Sequence, residues 1–115
     1  MVKIKSVYAK PLEEDGRRIL VDLFWPEGVK TRAAKVDEWY KELGPSYDLQ
    51  RFNFDVSNWD YYKSLYQKEI QEDSVKKNLF DSLAGKAGKE TLTLIYGSRD
   101  PRHNHAAILK EMLEK

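Results

Sequence analysis

The arrangement of two short apolar segments constrains the fold more than any other feature of the sequence. Residues 18–24 and residues 91–96 are both rich in Ile and Leu, as expected of strands that are covered on both faces of a sheet. Helical patterns fill the long stretch between them, and a connection of that kind joins parallel strands. The sequence therefore predicts an α/β fold, a small open sheet whose central strand pair is parallel and flanked by helices.

The N-terminal residues 2–8 predict a further strand at the edge of this sheet. Val2 and Ile4 alternate with Lys3 and Lys5, which suits a strand with one face toward solvent. The PLEEDG segment that follows is a turn too short to hold a crossover helix. This first strand therefore either pairs antiparallel with the strand at residues 18–24, which would make the sheet mixed, or lies apart from it.

Three helical patterns occupy the connection between the central strands. The first ends at Gly44-Pro45 and predicts a helix that covers one sheet face. Its apolar residues are Val36, Trp39, Tyr40 and Leu43. Residues 47–56 are interpreted as a loop. Caps at Ser57 and Asp73 start two more helices, whose inward residues are Trp59, Tyr62, Tyr66 and Ile70 in one and Val75, Leu79 and Leu83 in the other.

Composition limits the classes of function that the chain can have. Its 115 residues make one domain, and its 20 basic and 19 acidic side chains nearly cancel, so no overall field attracts nucleic acid or a membrane surface. The absence of cysteine excludes disulfides, thiolate metal sites and cysteine nucleophiles. Because no signal peptide or membrane span is recognisable, we expect a cytoplasmic protein without membrane contacts. A domain this small and aromatic-rich also suits a homo-oligomer.

The parallel central strands bring two distant segments to one edge of the sheet. Open α/β sheets bind ligands beyond the carboxyl ends of their strands. Asp22 and the loop up to Lys30 follow the first central strand, and the segment from Tyr96 to Arg99 follows the second. We therefore predict a ligand site at this edge. Its binding residues are Trp25, Lys30, Tyr96, Ser98, Arg99 and Asn104.

The start of the last helix bears on the chemistry of the ligand. Asp100 is a good N-cap and Pro101 suits the first helical turn, so a helix is expected from about residue 101 to the C-terminus. Basic side chains then fill that turn, although the helix dipole favours negative charge there. One interpretation is that a phosphate- or nucleotide-like anion binds the N–H groups of residues 102–104 beside Arg99. The other is that Asp100 already compensates the dipole.

Three side chains near this edge are candidates for acid–base catalysis, namely Asp22, His103 and His105. A carboxylate in an apolar strand is costly unless it is paired, so Asp22 is either catalytic or part of a structural ion pair. The histidines would carry protons, although His105 shares a helix stripe with Leu109 and also resembles a packed core residue. Asn104 either binds the ligand or pins its loop. Two positions apart on a helix, the histidines cannot share a metal ion, so no metal and no cofactor is predicted.

Several segments of the chain together resemble one protein family. They are RRILVDLFWPEGVK, then DEWYKELGPS, then the stripe of Trp59, Tyr62, Lys63, Tyr66 and Glu69, and finally LTLIYGSRDPRHNHAAILKEML. In this order and spacing the chain resembles the short, YeaO-like branch of domain-of-unknown-function family 488. The resemblance spans nearly the whole chain. It implies little about activity, because the family itself lacks an established function.

The departures from this family pattern bear on anion binding and on catalysis. Where the short branch carries two arginines, this chain has Leu23 and Glu27, so the resemblance implies that two anion contacts are missing. A longer branch carries a cysteine where this chain has Tyr96, and a Cys-His-Arg run at the place of residues 104–106. Only His105 of that run is shared, so the cysteine chemistry of the longer branch does not carry over.

The sequence leaves two hypotheses of different class. In the first, the protein binds and acts on a small anionic ligand at the carboxyl edge, with Asp22 as acid or base and a histidine as proton carrier. In the second, the same edge recognises a ligand or a protein partner without catalysis, which the two missing arginines favour. No nucleophile–base pair or phosphate loop is recognisable, and the lack of a basic stripe argues against nucleic acid as a partner.

Overall fold

A computed structural model describes residues 1–52 and 55–115 of the chain. The described residues form four strands, which are β1 (Val2–Ser6), β2 (Arg17–Leu20), β3 (Glu38–Trp39) and β4 (Leu92–Tyr96). They also form five α-helices, which are α1 (Thr31–Ala34), α2 (Tyr47–Gln50), α3 (Trp59–Glu72), α4 (Ser74–Ala87) and α5 (His105–Leu113). Single 3-10 turns lie at Glu13–Asp15, Lys41–Leu43 and Val56–Asn58.

The strands form one open sheet in the order β1-β4-β2-β3, and every neighbouring pair is parallel. β2 and β4 are the central pair, which confirms the parallel pair predicted from the apolar segments. β1 lies at the edge as predicted. Of the two alternatives for it, the structure has the second, since β1 lies apart from β2 and pairs in parallel with β4 rather than antiparallel with β2. The short PLEEDG turn does not make a hairpin, since β4 lies between β1 and β2.

One face of the sheet carries the main core of the domain. Alternating strand residues such as Ile19, Leu92 and Leu94 are fully buried beneath the helices. α5 packs on β1 and β4, and α3 packs against α4 and α5. The predicted helix stripes supply much of the other side of this core, including Tyr66. Val75, also predicted to face inward, does not join this core, because it lies in the first turn of α4 and is 54% exposed.

The helix predicted through residues 36–43 is wrong. The structure has β3 followed by a 3-10 turn in this segment. The N–H of Asp37 donates to the Arg18 carbonyl, and the N–H of Tyr40 donates to the Leu20 carbonyl, each at 2.8 Å. The open edge of β2 thus supplies backbone partners for an extended chain. This pairing outweighs the helical spacing of the apolar side chains, which is only a local preference.

The segment predicted as a loop at residues 47–56 contains a short helix. α2 begins after Ser46, whose hydroxyl accepts the Leu49 N–H at 3.2 Å. The same hydroxyl donates to the carboxylate of Glu69 on α3, which anchors α2 against that helix. Residues 53 and 54 of the predicted loop lie outside the described part of the chain.

The predicted helix caps are correct in one case and wrong in two. Asp73 caps α4, since its carboxylate accepts the N–H groups two and three residues later. Before α3 the capping carboxylate belongs to Asp55, and the Ser57 hydroxyl donates to that carboxylate. α5 is capped by Asn104, about one turn beyond the predicted start. Asp100 instead closes a separate turn before α5, since its carboxylate accepts the N–H groups of Arg102 and His103. The segment thus contains two capping residues in succession, Asp100 and Asn104.

The second face of the sheet is covered by a loop and a single short helix. A smaller apolar cluster lies there, formed by Val7, Leu20, Ala34 and Ile95 with Trp25, Val29 and Val36 packed against it. Most of the covering side chains come from α1 and the loop around it. The long helices α3, α4 and α5 therefore cover one face of the sheet, and α1 with the loop around it covers the other.

A buried ion pair lies between the turn before β2 and the end of α1. Asp15 and Arg18 are each 3% exposed, and Arg18 Nη1 lies 2.6 Å from Asp15 Oδ2. The guanidinium also donates to the carbonyl oxygens of Ala34 and Lys35. Lys5 Nζ lies 3.0 Å from the other carboxylate oxygen of Asp15. These contacts pair the two buried charges and join three segments of the chain.

Candidate functional site

A cavity of about 350 Å³ opens at the carboxyl edge of the sheet, the edge at which a ligand site was predicted. It lies between the segment after β2, the region of α2, the start of α3 and the segment that joins β4 to α5. Its volume falls in the range of small-molecule pockets, about 300–1,000 Å³. The fold produces it because β2 and β4 end side by side and their chains then diverge.

Five of the predicted site residues line this cavity, namely Asp22, Ser98, His103, Asn104 and His105. They come from the ends of both central strands and from the start of α5, so the fold brings the two predicted segments together. Two further polar side chains of the wall are Gln50 and Asp100. The sequence marked Asp100 only as a helix cap, and no pattern marked Gln50 at all.

Four predicted binding residues lie away from the cavity wall. Trp25 belongs to the apolar cluster on the second sheet face. Its ring packs edge to face against Trp39, with ring centroids 5.5 Å apart. Lys30 is exposed at the start of α1, and Arg99 is exposed after β4. Tyr96 is 4% exposed and belongs to the main core. The described wall of the cavity therefore includes none of these four side chains.

Asp22 ties the ends of the two central strands together. Its Oδ2 accepts the Gly97 N–H at 2.8 Å. A Cβ at residue 97 would lie 2.8 Å from the same oxygen, so any larger residue there would displace the Asp22 carboxylate. Oδ1 is buried and lies 3.0 Å from Nε2 of His105, but it accepts no hydrogen bond from the described residues. One oxygen of this carboxylate is thus satisfied and the other is not.

His105, the first residue of α5, contacts the end of β2 on one side and α3 on the other. Its Nε2 lies 2.8 Å from the carbonyl oxygen of Val21. A carbonyl only accepts, so the neutral ring carries its proton on Nε2 and donates it to Val21. The ring also meets Tyr66 edge to face, with centroids 5.9 Å apart. These are the contacts of a packed histidine, which was one of the two interpretations of this residue.

Asp100 and His103 form a second carboxylate–imidazole pair in the wall. Asp100 Oδ1 accepts the N–H groups of Arg102 and His103, each at 2.9 Å, and Oδ2 lies 3.1 Å from Nδ1 of His103. The two backbone N–H groups, with help from the His103 ring, hold the pKa of the Asp100 carboxyl below its ordinary value. Asp100 is therefore ionised at neutral pH. The His103 ring packs edge to face on Trp59, with centroids 5.2 Å apart.

Two of the three backbone N–H groups predicted to hold an anion are already engaged. The N–H groups of Arg102 and His103 bond to Asp100, as described above. The Asn104 side chain accepts the Ala107 N–H at 2.9 Å and donates to the Asp100 carbonyl at 2.8 Å. Asn104 thus pins the loop, the structural alternative for this residue, although it also lines the cavity.

The rest of the wall is apolar, and the sequence interpretation missed it. It is formed by Leu23, Phe24, Pro45, Leu49, Phe52 and Tyr62. Leu49 and Phe52 fall in the segment interpreted as a loop, and Tyr62 was assigned to the core. Their approach to the carboxyl edge depends on how α2 and α3 pack, which no local pattern encodes. Leu23 was the exception, since it stands where the family pattern has an arginine.

Aromatic rings dominate this apolar part of the wall. The ring centroids of Phe52 and Tyr62 lie 6.1 Å apart, and Tyr62 stacks on Trp59 with ring centroids 5.7 Å apart. Burial, with a smaller contribution from Glu69, raises the pKa of the Tyr62 hydroxyl to about 12, so it stays protonated at neutral pH. Phe24 is 50% exposed at the rim. The cavity therefore combines aromatic rings with two carboxylates.

We expect the Asp100 carboxyl to keep a lowered pKa in the His103→Ala variant. The two backbone hydrogen bonds are the larger cause of the lowering, and they do not need the imidazole. A carbon-13 NMR titration of the Asp100 carboxyl in both proteins measures the effect. Return of the pKa to the ordinary aspartate value would show that the imidazole, rather than the turn, controls this group.

No three His, Asp or Glu side chains of residues 1–52 and 55–115 are placed to hold one metal ion. Over the same residues, no helix has both the length and the apolar character needed to cross a bilayer.

Comparison with known proteins confirms the resemblance identified in the sequence. A family model described as "Inactive DUF488-N3 subclade" matches residues 1–115. The chain is 36% identical to the uncharacterized protein YeaO of Escherichia coli over 114 residues, which cover 97% of this chain and 96% of YeaO. It is 28% identical over 113 residues to the uncharacterized proteins Mb3100c of Mycobacterium bovis and Rv3073c of Mycobacterium tuberculosis, covering 97% of this chain and 92% of each relative. No solved structure matches the chain significantly.

Proposed function

We propose that this chain, which belongs to the Inactive DUF488-N3 subclade, is a binding protein that holds a small ligand at the carboxyl edge of its sheet without changing it chemically. The observation that carries the proposal is the state of the polar groups around the cavity. Most of them are bonded to the fold, although Oδ1 of Asp22 accepts no hydrogen bond from the described residues, and the cavity itself stays open. A wall built in this way supports recognition better than it supports catalysis.

The candidate catalytic groups are engaged in holding the chain together. Asp22 Oδ2 accepts the Gly97 N–H, and His105 Nε2 faces the Val21 carbonyl. General acid–base catalysis needs a side chain within hydrogen-bond reach of the substrate and able to exchange its proton. A ring whose Nε2 proton points at a backbone carbonyl does not offer that proton to a ligand. The family description, inactive, agrees with this interpretation.

Nucleophilic chemistry has little support in the wall either. The chain contains no cysteine. The hydroxyl oxygen of Ser98 accepts the Asp100 N–H at 3.2 Å, so it belongs to the turn before α5. The raised pKa of Tyr62 keeps its hydroxyl protonated and weakly nucleophilic. The non-catalytic hypothesis is therefore the one that these contacts favour.

The anionic character predicted for the ligand has lost its main supports. The backbone donors at Arg102 and His103 are occupied, and Arg99 is exposed outside the wall. Leu23 lines the cavity where the resemblance would have placed an arginine. We therefore propose a ligand that combines an apolar body with hydrogen-bond donors. Anions are included in the screen below because their binding would contradict this choice of ligand.

A thermal-shift screen tests this function. The protein is screened against phosphate, sulfate, nucleotides, small carboxylates, amines and alcohols, because a ligand of the native state raises the midpoint by mass action. Each active compound is then tested on Gln50→Trp, which should block the cavity, and on Asn78→Trp. Asn78 is an exposed amide on α4, outside the described wall of this cavity. We expect the shift to vanish only in Gln50→Trp.

The fate of the bound compound separates binding from catalysis. Proton NMR spectra of protein and compound, followed overnight, should show the compound unchanged. Appearance of product resonances that disappear in the Asp22→Asn variant would establish the enzyme hypothesis instead. Shifts that survive equally in both tryptophan variants would place binding somewhere other than this cavity.

A further inference from the structure

Resting on the binding function proposed above, we propose that the ligand is a small organic cation, a protonated amine with an apolar or aromatic body. The cavity sets two carboxylates beside aromatic rings, and none of its described lining residues is Lys or Arg. Its volume of about 350 Å³ suits one small molecule rather than a peptide or a nucleic acid strand.

The carboxylates of the wall receive hydrogen bonds from backbone N–H groups. Each also lies against an imidazole, with Asp22 Oδ1 3.0 Å from His105 Nε2 and Asp100 Oδ2 3.1 Å from His103 Nδ1. Asp100 receives its hydrogen bonds from the N–H groups of Arg102 and His103, and Asp22 receives one from the N–H of Gly97. Backbone N–H groups stabilise a carboxylate without cancelling its charge. The carboxylates are therefore the charged side chains of the described wall, which includes no Lys or Arg. Such a wall attracts a cation and repels an anion.

The unsatisfied oxygen of Asp22 strengthens this negative character. Oδ1 is buried and accepts no hydrogen bond within the described part of the chain. A buried acceptor without a donor is costly, and its field is poorly screened in a region of low dielectric. A positive charge in the adjoining cavity would offset that cost through space, without contact between the two groups.

The aromatic wall suits the same class of ligand. Phe24, Phe52 and Tyr62 all line the cavity. The face of an aromatic ring carries partial negative charge, so a cation within about 6 Å of its centre is attracted and an anion is not. The rings also bury the apolar body of the ligand. An amine that loses part of its hydration on entry thus finds both carboxylates and ring faces to replace it.

Three probes of matched size and different charge test the inference. They are benzylammonium, benzyl alcohol and benzoate, titrated into nitrogen-15-labelled protein at pH 8, where imidazole is ordinarily neutral. Amide shifts at Gly97 and Asn104 report on the cavity. We expect benzylammonium to bind about tenfold more tightly than benzoate, with benzyl alcohol between them.

Two substitutions in the wall should move this preference in a defined direction. Asp100→Asn keeps an oxygen for the two N–H groups of the turn and removes one charge. The affinity for benzylammonium should therefore fall about threefold or more. Leu23→Arg adds a cation to the wall and should reverse the order of benzylammonium and benzoate. Asp81→Asn is the control, because Asp81 is exposed on α4 outside the described wall, and it should change neither affinity.

The outcomes distinguish this inference from the function on which it rests. Equal binding of the three probes, or tighter binding of benzoate, with shifts at the cavity amides would overturn the cation inference and leave a binding cavity. Absence of shifts at those amides with all three probes would overturn the cation inference, and the compound screen above would then decide the binding function separately. Cation preference that persists unchanged in Asp100→Asn and Leu23→Arg would show that charge in this wall does not cause it.

Discussion

The Asp15→Ala variant should lose about 3–5 kcal/mol of unfolding free energy, a large part of the 5–15 kcal/mol typical of a domain. The side chains of Asp15 and Arg18 are 5% and 4% exposed and lie 2.6 Å apart. The guanidinium cannot lose its proton, so removal of the carboxylate leaves a buried charge without its partner. Urea denaturation followed by circular dichroism measures the loss.

An exposed ion pair on α4 provides the control for this measurement. Lys77 and Asp81 lie 3.4 Å apart and are more than half exposed, so Asp81→Ala should change stability by less than about 0.5 kcal/mol. Replacing both buried charges, as in Asp15→Leu with Arg18→Met, should recover much of the loss, because the buried guanidinium is removed together with its partner and only the partly exposed Lys5 loses a contact. A small loss in Asp15→Ala would mean that water reaches the guanidinium.

The pH dependence of the same variant identifies the cause of the loss. Burial of Asp15 opposes its ionisation, but hydrogen bonds from the Leu12 backbone, Lys5 and Arg18 outweigh burial and lower the pKa of the carboxyl. A carboxylate with a lowered pKa stabilises the fold fully above its unfolded-state pKa and loses that contribution as the pH falls through its folded-state pKa. The stability difference between wild type and Asp15→Ala should therefore narrow below about pH 4.

The sequence predicted the central strands well because their signal is local and strong. A continuous apolar run such as Ile19 to Val21 is typical of a strand in a sheet covered on both faces, and the long helical connection favours a parallel pair. The helix expected at residues 36–43 failed for the opposite reason. Its apolar spacing is weak evidence when a neighbouring strand edge offers hydrogen bonds to an extended chain, as β2 does to Asp37 and Tyr40.

The candidate site shows the same division between local and tertiary information. Asp22 and His105 were anomalies of charge or position in their own segments, so the sequence could single them out. Their partners could not be predicted in the same way, because Gly97 and the Val21 carbonyl lie far from Asp22 and His105 respectively along the chain. Lining residues such as Leu49 look ordinary locally, and only the packing of α2 and α3 places them at the carboxyl edge.

The Gly44→Ala variant should lose at least about 2 kcal/mol of unfolding free energy, because its new methyl group would meet backbone atoms. A Cβ at residue 44 would overlap the backbone nitrogen of Leu23 and lie 2.8 Å from the carbonyl carbon of Asp22. Gly44 has φ −67° and ψ 153°, which alanine adopts freely, so the loss would come from crowding alone. Thermal and urea denaturation measure it.

Gly85→Ala is the matched control, since the change is the same and the surroundings differ. Gly85 lies inside α4, and a Cβ there has nothing within 4 Å, so alanine should add about 0.5–1 kcal/mol of stability. Opposite signs for the two variants would show that the chain around Gly44 must lie directly on the Asp22–Leu23 backbone. In Gly44→Ala the new methyl group should displace the backbone of Asp22 and weaken the hydrogen bond from the Gly97 N–H to its carboxylate. The NMR chemical shift of the Gly97 amide reports this change. Equal effects of the two alanines would contradict this close approach.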